Sequence, residues 1–166
     1  MIYLNGDYLA EQQARLSVLD RGFIFGDGVY EVWRVVRGRL FEPERHHARL
    51  ERGLRELAIT PPRDATNEGI AGVAERLLRE NNLLAGEATL YVEISRGAAP
   101  RTHYFPPRGT RPTMFAMASA FTPSDSRTTG TSVITQLDVR WLRCDIKTIQ
   151  LLPNVLARQA AVAAGA

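Results

Sequence analysis

Val29 to Val36 alternates so regularly that its local structure is narrowly defined: an extended strand with two different faces. Tyr30, Val32, Arg34 and Val36 fall on one face, and Val29, Glu31, Trp33 and Val35 on the other. Glu87 to Ser95 alternates in the same way, with Leu90, Val92 and Ile94 together, and Thr113 to Phe121 is a further strand of small, apolar residues. Two helices are predicted between these strands. Pro43 is a good first helical residue, and a stripe of Leu50, Leu54 and Leu57 carries a helix from there to about Leu57, where Thr60-Pro61-Pro62 stops it. A second amphipathic helix runs from about Asn67 to Asn81 and buries Ile70, Val73, Ala74, Leu77 and Leu78. At the start of the chain Asn5-Gly6 separates Ile2-Tyr3-Leu4 from Tyr8-Leu9, and this pair tolerates the positive φ angles of a tight hairpin turn. Leu16 to Gly22 reads as a loop leading into Gly26-Asp27-Gly28.

The second half is organised differently. Thr122 to Gly130 is polar, with Pro and Gly near its ends, and reads as a linker between two units. Beyond it, Thr131 to Leu137 reads as a strand, the segment around Lys147 as another, and Asn154 to Ala164 as a helix. Two strands and a helix are too little for a core. This tail is expected to pack on the first unit or a partner, or to be the incomplete start of a larger domain with exposed apolar surface.

Composition narrows the function classes. Hydrophobic residues make up 45% and charged residues 23%, ordinary values for a soluble domain, and no apolar run approaches the ~20 residues of a membrane span. The first residues lack the basic start and apolar segment of a secretion signal. Cys144 is the single cysteine, which excludes an internal disulfide and suits a reducing cytoplasm. A net charge of +3, with arginines interleaved among acids, describes a solvated surface better than a nucleic-acid footprint. His46 and His47 are adjacent on a helix and cannot face one metal, so no metal site is expected and both read as solvated.

Chemistry concentrates in two places. Of 21 Lys and Arg residues, Lys147 is the only lysine. A bias towards arginine codons would leave such a survivor. So would a requirement for a nucleophilic amine, which a permanently protonated guanidinium cannot replace. Arg101 and His103, two apart in a loop from Arg96 to Pro107, could face one anion from an extended backbone, although an arginine-rich chain offers such spacings by chance.

Taken together, Phe25-Gly26-Asp27-Gly28-Val29-Tyr30-Glu31-Val32, His47-Ala48-Arg49-Leu50, Arg96-Gly97 followed by Arg101-Thr102-His103, and Arg143-Cys144-Asp145-Ile146-Lys147 closely resemble the fold-type IV pyridoxal-phosphate enzymes. Within that group the chain looks most like D-amino-acid aminotransferases. The resemblance implies an α+β fold: residues 1–121 as the small domain, an antiparallel-rich sheet with two helices; residues 122–130 as the interdomain linker; residues 131–166 as the incomplete start of the large cofactor-binding domain. It implies that Lys147 holds pyridoxal 5'-phosphate as an internal aldimine and that Arg49 binds its phosphate. Tyr30 would line the substrate pocket. Arg101 and His103 would bind the α-carboxylate in the neighbouring site of a homodimer. Substrates would be a D-amino acid such as D-alanine and a 2-oxo acid such as 2-oxoglutarate, in the cytoplasm. Branched-chain aminotransferases and aminodeoxychorismate lyases share the Gly-Asp-Gly stretch and the lysine and are the alternatives within the fold. A non-catalytic interaction module is the alternative outside it. The acidic partner of the pyridine nitrogen and most phosphate ligands are expected in the part of the family pattern that these residues do not cover.

Overall fold

The computed structural model describes residues 1–166. Its centre is a six-stranded antiparallel sheet formed by β1 (Ile2–Leu4), β2 (Asp7–Leu9), β3 (Gly28–Val36), β4 (Arg39–Leu40), β5 (Glu87–Ser95) and β6 (Thr113–Ala120), in the order β2-β1-β6-β5-β3-β4. The hairpin turn between β1 and β2 has Asn5 at φ 54° and Gly6 at φ 105°, as the Asn-Gly pair predicts. β3 and β5 pair along their whole length, Gly28 opposite Ser95 and Val36 opposite Glu87.

Two helices, α2 (Pro43–Glu56) and α3 (Asn67–Glu80), form the second layer. Thr66 caps α3 by accepting a hydrogen bond from the Gly69 N–H. Leu50 and Leu54 of α2 and Ile70, Val73, Leu77 and Leu78 of α3 pack with Val29, Trp33, Val35, Leu90, Val92, Ile94 and Met114 in one buried core. Glu31 lies among these apolar residues and is fully buried. On the opposite face of the sheet Tyr30, Tyr91, Glu93 and Phe115 are half-buried.

Several expectations are corrected. The loop-like segment ends in a short helix, α1 (Arg21–Phe25), because the Asp20 side chain accepts from the Gly22 N–H and Gly26 closes the helix in the left-handed region at φ 68°. Within residues 122–130, expected to be a linker, there is one helical turn, α4 (Ser126–Thr129). Thr131 to Leu137 is not a strand: no strand of the sheet runs beside it, so its backbone has no ladder to join, and Val133 and Leu137 are exposed. The Lys147 segment is likewise not a strand, and only Thr148 forms an isolated bridge, to Val29. The last helix, α5 (Leu152–Ala163), begins two residues earlier than expected. The histidines are not freely solvated. His47 places Nε2 2.9 Å from the Ala65 carbonyl, and His46 lies against Trp33 and Glu31. No helix is long and apolar enough to cross a membrane.

Candidate active site

The Lys147 segment is placed by three anchors. Ile146 is buried, and Gly53 of α2 leaves room for it beside Val29: a Cβ at Gly53 would lie 3.0 Å from Val29 Cγ1 and 3.9 Å from Ile146 Cγ2. Arg52 donates to both the Asp145 carbonyl (3.0 Å) and its carboxylate (2.7 Å), while Arg143 links the Asp145 and Glu56 carboxylates. The third anchor is backbone pairing with the start of β3. Tyr30 N–H donates to the Lys147 carbonyl at 3.1 Å, and Ile149 N–H donates to the Gly28 carbonyl at 3.2 Å. Gly28 is required here. A Cβ at that position would lie 2.7 Å from the Ile94 carbonyl oxygen and 3.0 Å from Ile149 Cδ1.

These anchors turn the Lys147 side chain onto the open face of the sheet. Its Nζ lies 3.9 Å from the centre of the Tyr30 ring, which stacks in turn on Tyr91 at 5.6 Å. Tyr91 donates to the Glu93 carboxylate at 2.6 Å, and burial together with that acceptor pushes its phenol well above the ordinary range. A cavity of about 250 Å³ opens beside the lysine, lined by Tyr30, Arg49, Trp141, Lys147, Thr148 and Asn154 among others.

Arg49 reaches this cavity from α2 held by Glu31. Its Nε and Nη2 donate to the two carboxylate oxygens at 2.6 and 2.8 Å. Burial pushes the Glu31 carboxyl up, but the hydrogen bonds from Arg49, the Val32 N–H and His46 outweigh it and hold the group below the usual carboxylate range. The same carboxylate raises the Arg49 guanidinium above its ordinary value. Glu31 was legible only as one member of a strand face. An acid alternating with Val29, Trp33 and Val35 on the apolar side was the available signal, because a buried charge needs a partner.

Arg101 and His103 come together elsewhere. The Arg101 guanidinium carbon lies 5.4 Å and the His103 ring 5.7 Å from the centre of the Phe25 ring. Neither residue lines the Lys147 cavity. The chain therefore presents two groups of the expected site residues: Tyr30, Arg49 and Lys147 around one cavity, and Arg101 with His103 over Phe25.

The model of the amino-transferase class IV family matches residues 28–166. The chain belongs to that family. Over 162 residues it is 40% identical to a D-alanine aminotransferase of Staphylococcus epidermidis, covering 97% of this chain and 56% of that protein. The 4-amino-4-deoxychorismate lyase of Pseudomonas aeruginosa superposes with a TM-score of 0.72 at 31% identity, over 96% of this chain and 56% of the other. A hypothetical aminotransferase from Mycobacterium tuberculosis in a PLP-bound form shares the fold, with a TM-score of 0.74 at 22% identity over the whole chain and 59% of the other. As a class IV aminotransferase chain it thus spans little more than half the length of these relatives.

Proposed function

We propose that this chain carries the lysine half of the active site of a pyridoxal-phosphate-dependent transaminase acting on D-amino acids such as D-alanine, with 2-oxo acids such as 2-oxoglutarate as acceptors. The observation that supports it most directly is the convergence of the one lysine amine, Lys147, with the guanidiniums of Arg49 and Arg140 on a single cavity walled by the Tyr30 ring. The donor set suits the cofactor: a primary amine for its carbonyl carbon and a cation for its phosphate, with Thr148 and Asn154 on the same wall. When bound, the cofactor supplies the electron sink for carbanion chemistry at the substrate α-carbon. Lys147 would hold the cofactor covalently and, once displaced by the amino donor, move a proton to and from that carbon. Arg49, braced by Glu31, would bind the phosphate, and Tyr30 would line the substrate pocket. Asp145, the one carboxylate on the cavity wall, is already taken by Arg52 and Arg143.

Arg101 and His103 would bind the substrate carboxylate, each serving the neighbouring subunit's cavity in a homodimer. The family resemblance motivates this assignment, and it is consistent with neither residue lining the Lys147 cavity of its own chain. Residues 131–166 would begin the cofactor-binding domain after the 122–130 linker. Exposed Val133, Leu137, Val139 and Leu142, and Leu152, Val155 and Leu156 on α5, are the surface that such a domain would cover. The direct test is half-transamination of the cofactor-loaded protein with D-alanine, L-alanine and L-leucine. D-alanine should react fastest, and borohydride treatment should fix the cofactor to Lys147. Faster reaction with L-leucine would move the protein to the branched-chain group, and label confined to the Met1 amine would remove Lys147 from the chemistry.

A further inference from the structure

The loop bearing Arg101 and His103 is tied down by the segment that leads into α1. Residues 19–21 lie antiparallel to 97–99: Arg21 N–H donates to the Gly97 carbonyl at 2.9 Å, Ala99 N–H donates to the Leu19 carbonyl at 3.2 Å, and Asp20 bridges Ala98. Asp20 is buried and locks this segment to the sheet, accepting from the Ser95 and Thr113 hydroxyls at 2.7 Å each. The Arg21 side chain, 4% exposed, then extends along the loop. Its Nε donates to Asp27 Oδ2 at 2.7 Å and its Nη1 to the Thr102 carbonyl at 2.7 Å. Arg96 holds the same Asp27 from the other side, at 2.8 and 2.9 Å, and also donates to the Leu57 and Ala58 carbonyls.

We propose that Arg21 is a positioning residue for the Arg101–His103 pair, fixing the backbone between them so that both side chains point at one carboxylate. Thr102 is the residue between the two, and holding its carbonyl sets the plane of the Thr102–His103 peptide. The Phe25 ring completes the support: it receives the Arg21 guanidinium at 4.7 Å while also contacting Arg101 and His103. One buried guanidinium therefore joins the aspartate of the Gly-Asp-Gly turn, the platform ring and the loop backbone. A planar fork with fixed donor directions spans two acceptors in this way, whereas an ammonium is a compact point charge on a flexible stem without those fixed directions. The inference rests on the reading of Arg101 and His103 as the carboxylate site.

The experiment compares Arg21→Lys, Arg21→Met and Arg101→Ala in the cofactor-loaded protein, with D-alanine and its carboxylate-free analogue D-alaninamide as substrates. Arg21→Lys keeps a cation beside Asp27 and is the variant to rely on if Arg21→Met does not fold. Either Arg21 variant should lower kcat/KM for D-alanine roughly 10–100-fold, mainly through KM, as expected for misplaced binding groups. Reaction with D-alaninamide should be unchanged. Combined with Arg101→Ala, the Arg21 substitution should add little, because both act on one interaction. A second readout needs no turnover: amide exchange across residues 97–105 and tryptic cleavage after Arg101 should accelerate while β5 stays protected. If Arg101→Ala impairs D-alanine and Arg21→Lys leaves both KM and loop exchange at wild-type values, the positioning role is wrong and the carboxylate site stands. Arg21→Lys losses equal for D-alanine and D-alaninamide would also overturn the positioning role. If Arg101→Ala itself leaves D-alanine untouched, the carboxylate site fails and the proposal with it.

Discussion

Asp27→Asn gives the sharpest test of how the buried charges of this chain are held. Asp27 is 11% exposed and accepts three hydrogen bonds from two guanidiniums, Arg21 and Arg96, that are themselves 4% and 7% exposed. Asparagine keeps the shape but offers one oxygen in place of two and turns an N–H₂ towards one arginine. Two buried cations then share one neutral acceptor. Breaking a buried, hydrogen-bonded pair of this kind costs about 3–5 kcal/mol, which is a large part of the roughly 5–15 kcal/mol that stabilises an ordinary domain. For a chain of this size each kcal/mol lowers the melting temperature by ~2–4 °C. The melting temperature should therefore fall by roughly 6–20 °C. Asp138→Asn, which breaks an exposed pair with Arg140, is the control and should produce no measurable change. The two proteins are compared by thermal and urea unfolding at neutral pH. A loss under about 1 kcal/mol for Asp27→Asn, the scale of a surface ion pair, would refute the claim that this cluster is a buried electrostatic support.

The acid limb of the stability curve should show the same group. Burial pushes the Asp27 carboxyl up, but Arg96 and Arg21 together hold it below its ordinary value, so its contribution is present above about pH 4 and is lost as pH falls through the lower folded value. Wild type should lose more stability between pH 6 and pH 3 than Asp27→Asn, as measured by urea midpoints. Glu31→Gln should cost about 1.5–3 kcal/mol, less than Asp27→Asn because Arg49 is half exposed and can turn to water, and it should weaken cofactor binding in a fluorescence titration. Gly97→Ala should destabilise by at least ~1–3 kcal/mol: the residue sits at φ 92° and a Cβ would lie 1.9 Å from the Arg111 carbonyl oxygen, so unfolding midpoints and loop exchange should both report it. Lys147→Arg should change stability by less than about 1 kcal/mol, since the amine contacts only the Tyr30 ring face, yet abolish borohydride labelling at this position.

How much of this was legible in the sequence depended on the range of the interaction. β3, β5 and β6 were read within a residue or two because alternation is a local property of a half-buried strand, and α2 and α3 because a stripe of leucines and alanines is local as well. Thr131 to Leu137 is rich enough in β-branched residues to be read as a strand, but a strand also needs a partner's backbone, which no local pattern reports. The short α1 was hidden for the opposite reason. Five residues carry no periodicity, and its signals are a cap at Asp20 and a left-handed Gly26, each of which also occurs in a plain turn.

The site divides along the same line. Tyr30, Arg49 and Lys147 come from three distant segments, and only the four motifs in family order pointed to their grouping. The structure brings them around one cavity through Ile146 packing on Gly53 and the backbone pairing at Gly28. Arg21, Asp27 and Arg96 went unread as a group because each is ordinary in isolation: one of 20 arginines, a turn aspartate, and the arginine after a strand. Their meaning lies in burial. An arginine-rich surface is cheap to solvate, whereas two guanidiniums sealed at 4% and 7% exposure must be matched donor by donor. Here they are matched by Asp27 and by the carbonyls of Leu57, Ala58 and Thr102. Only the Arg21–Asp27 bond is local in sequence; every other partner is 38 residues or more from its arginine. A cluster built this way joins the Gly-Asp-Gly turn, the end of α2 and the Arg101–His103 loop into one rigid unit, so a change at any member should be felt at that loop before it is felt at Lys147.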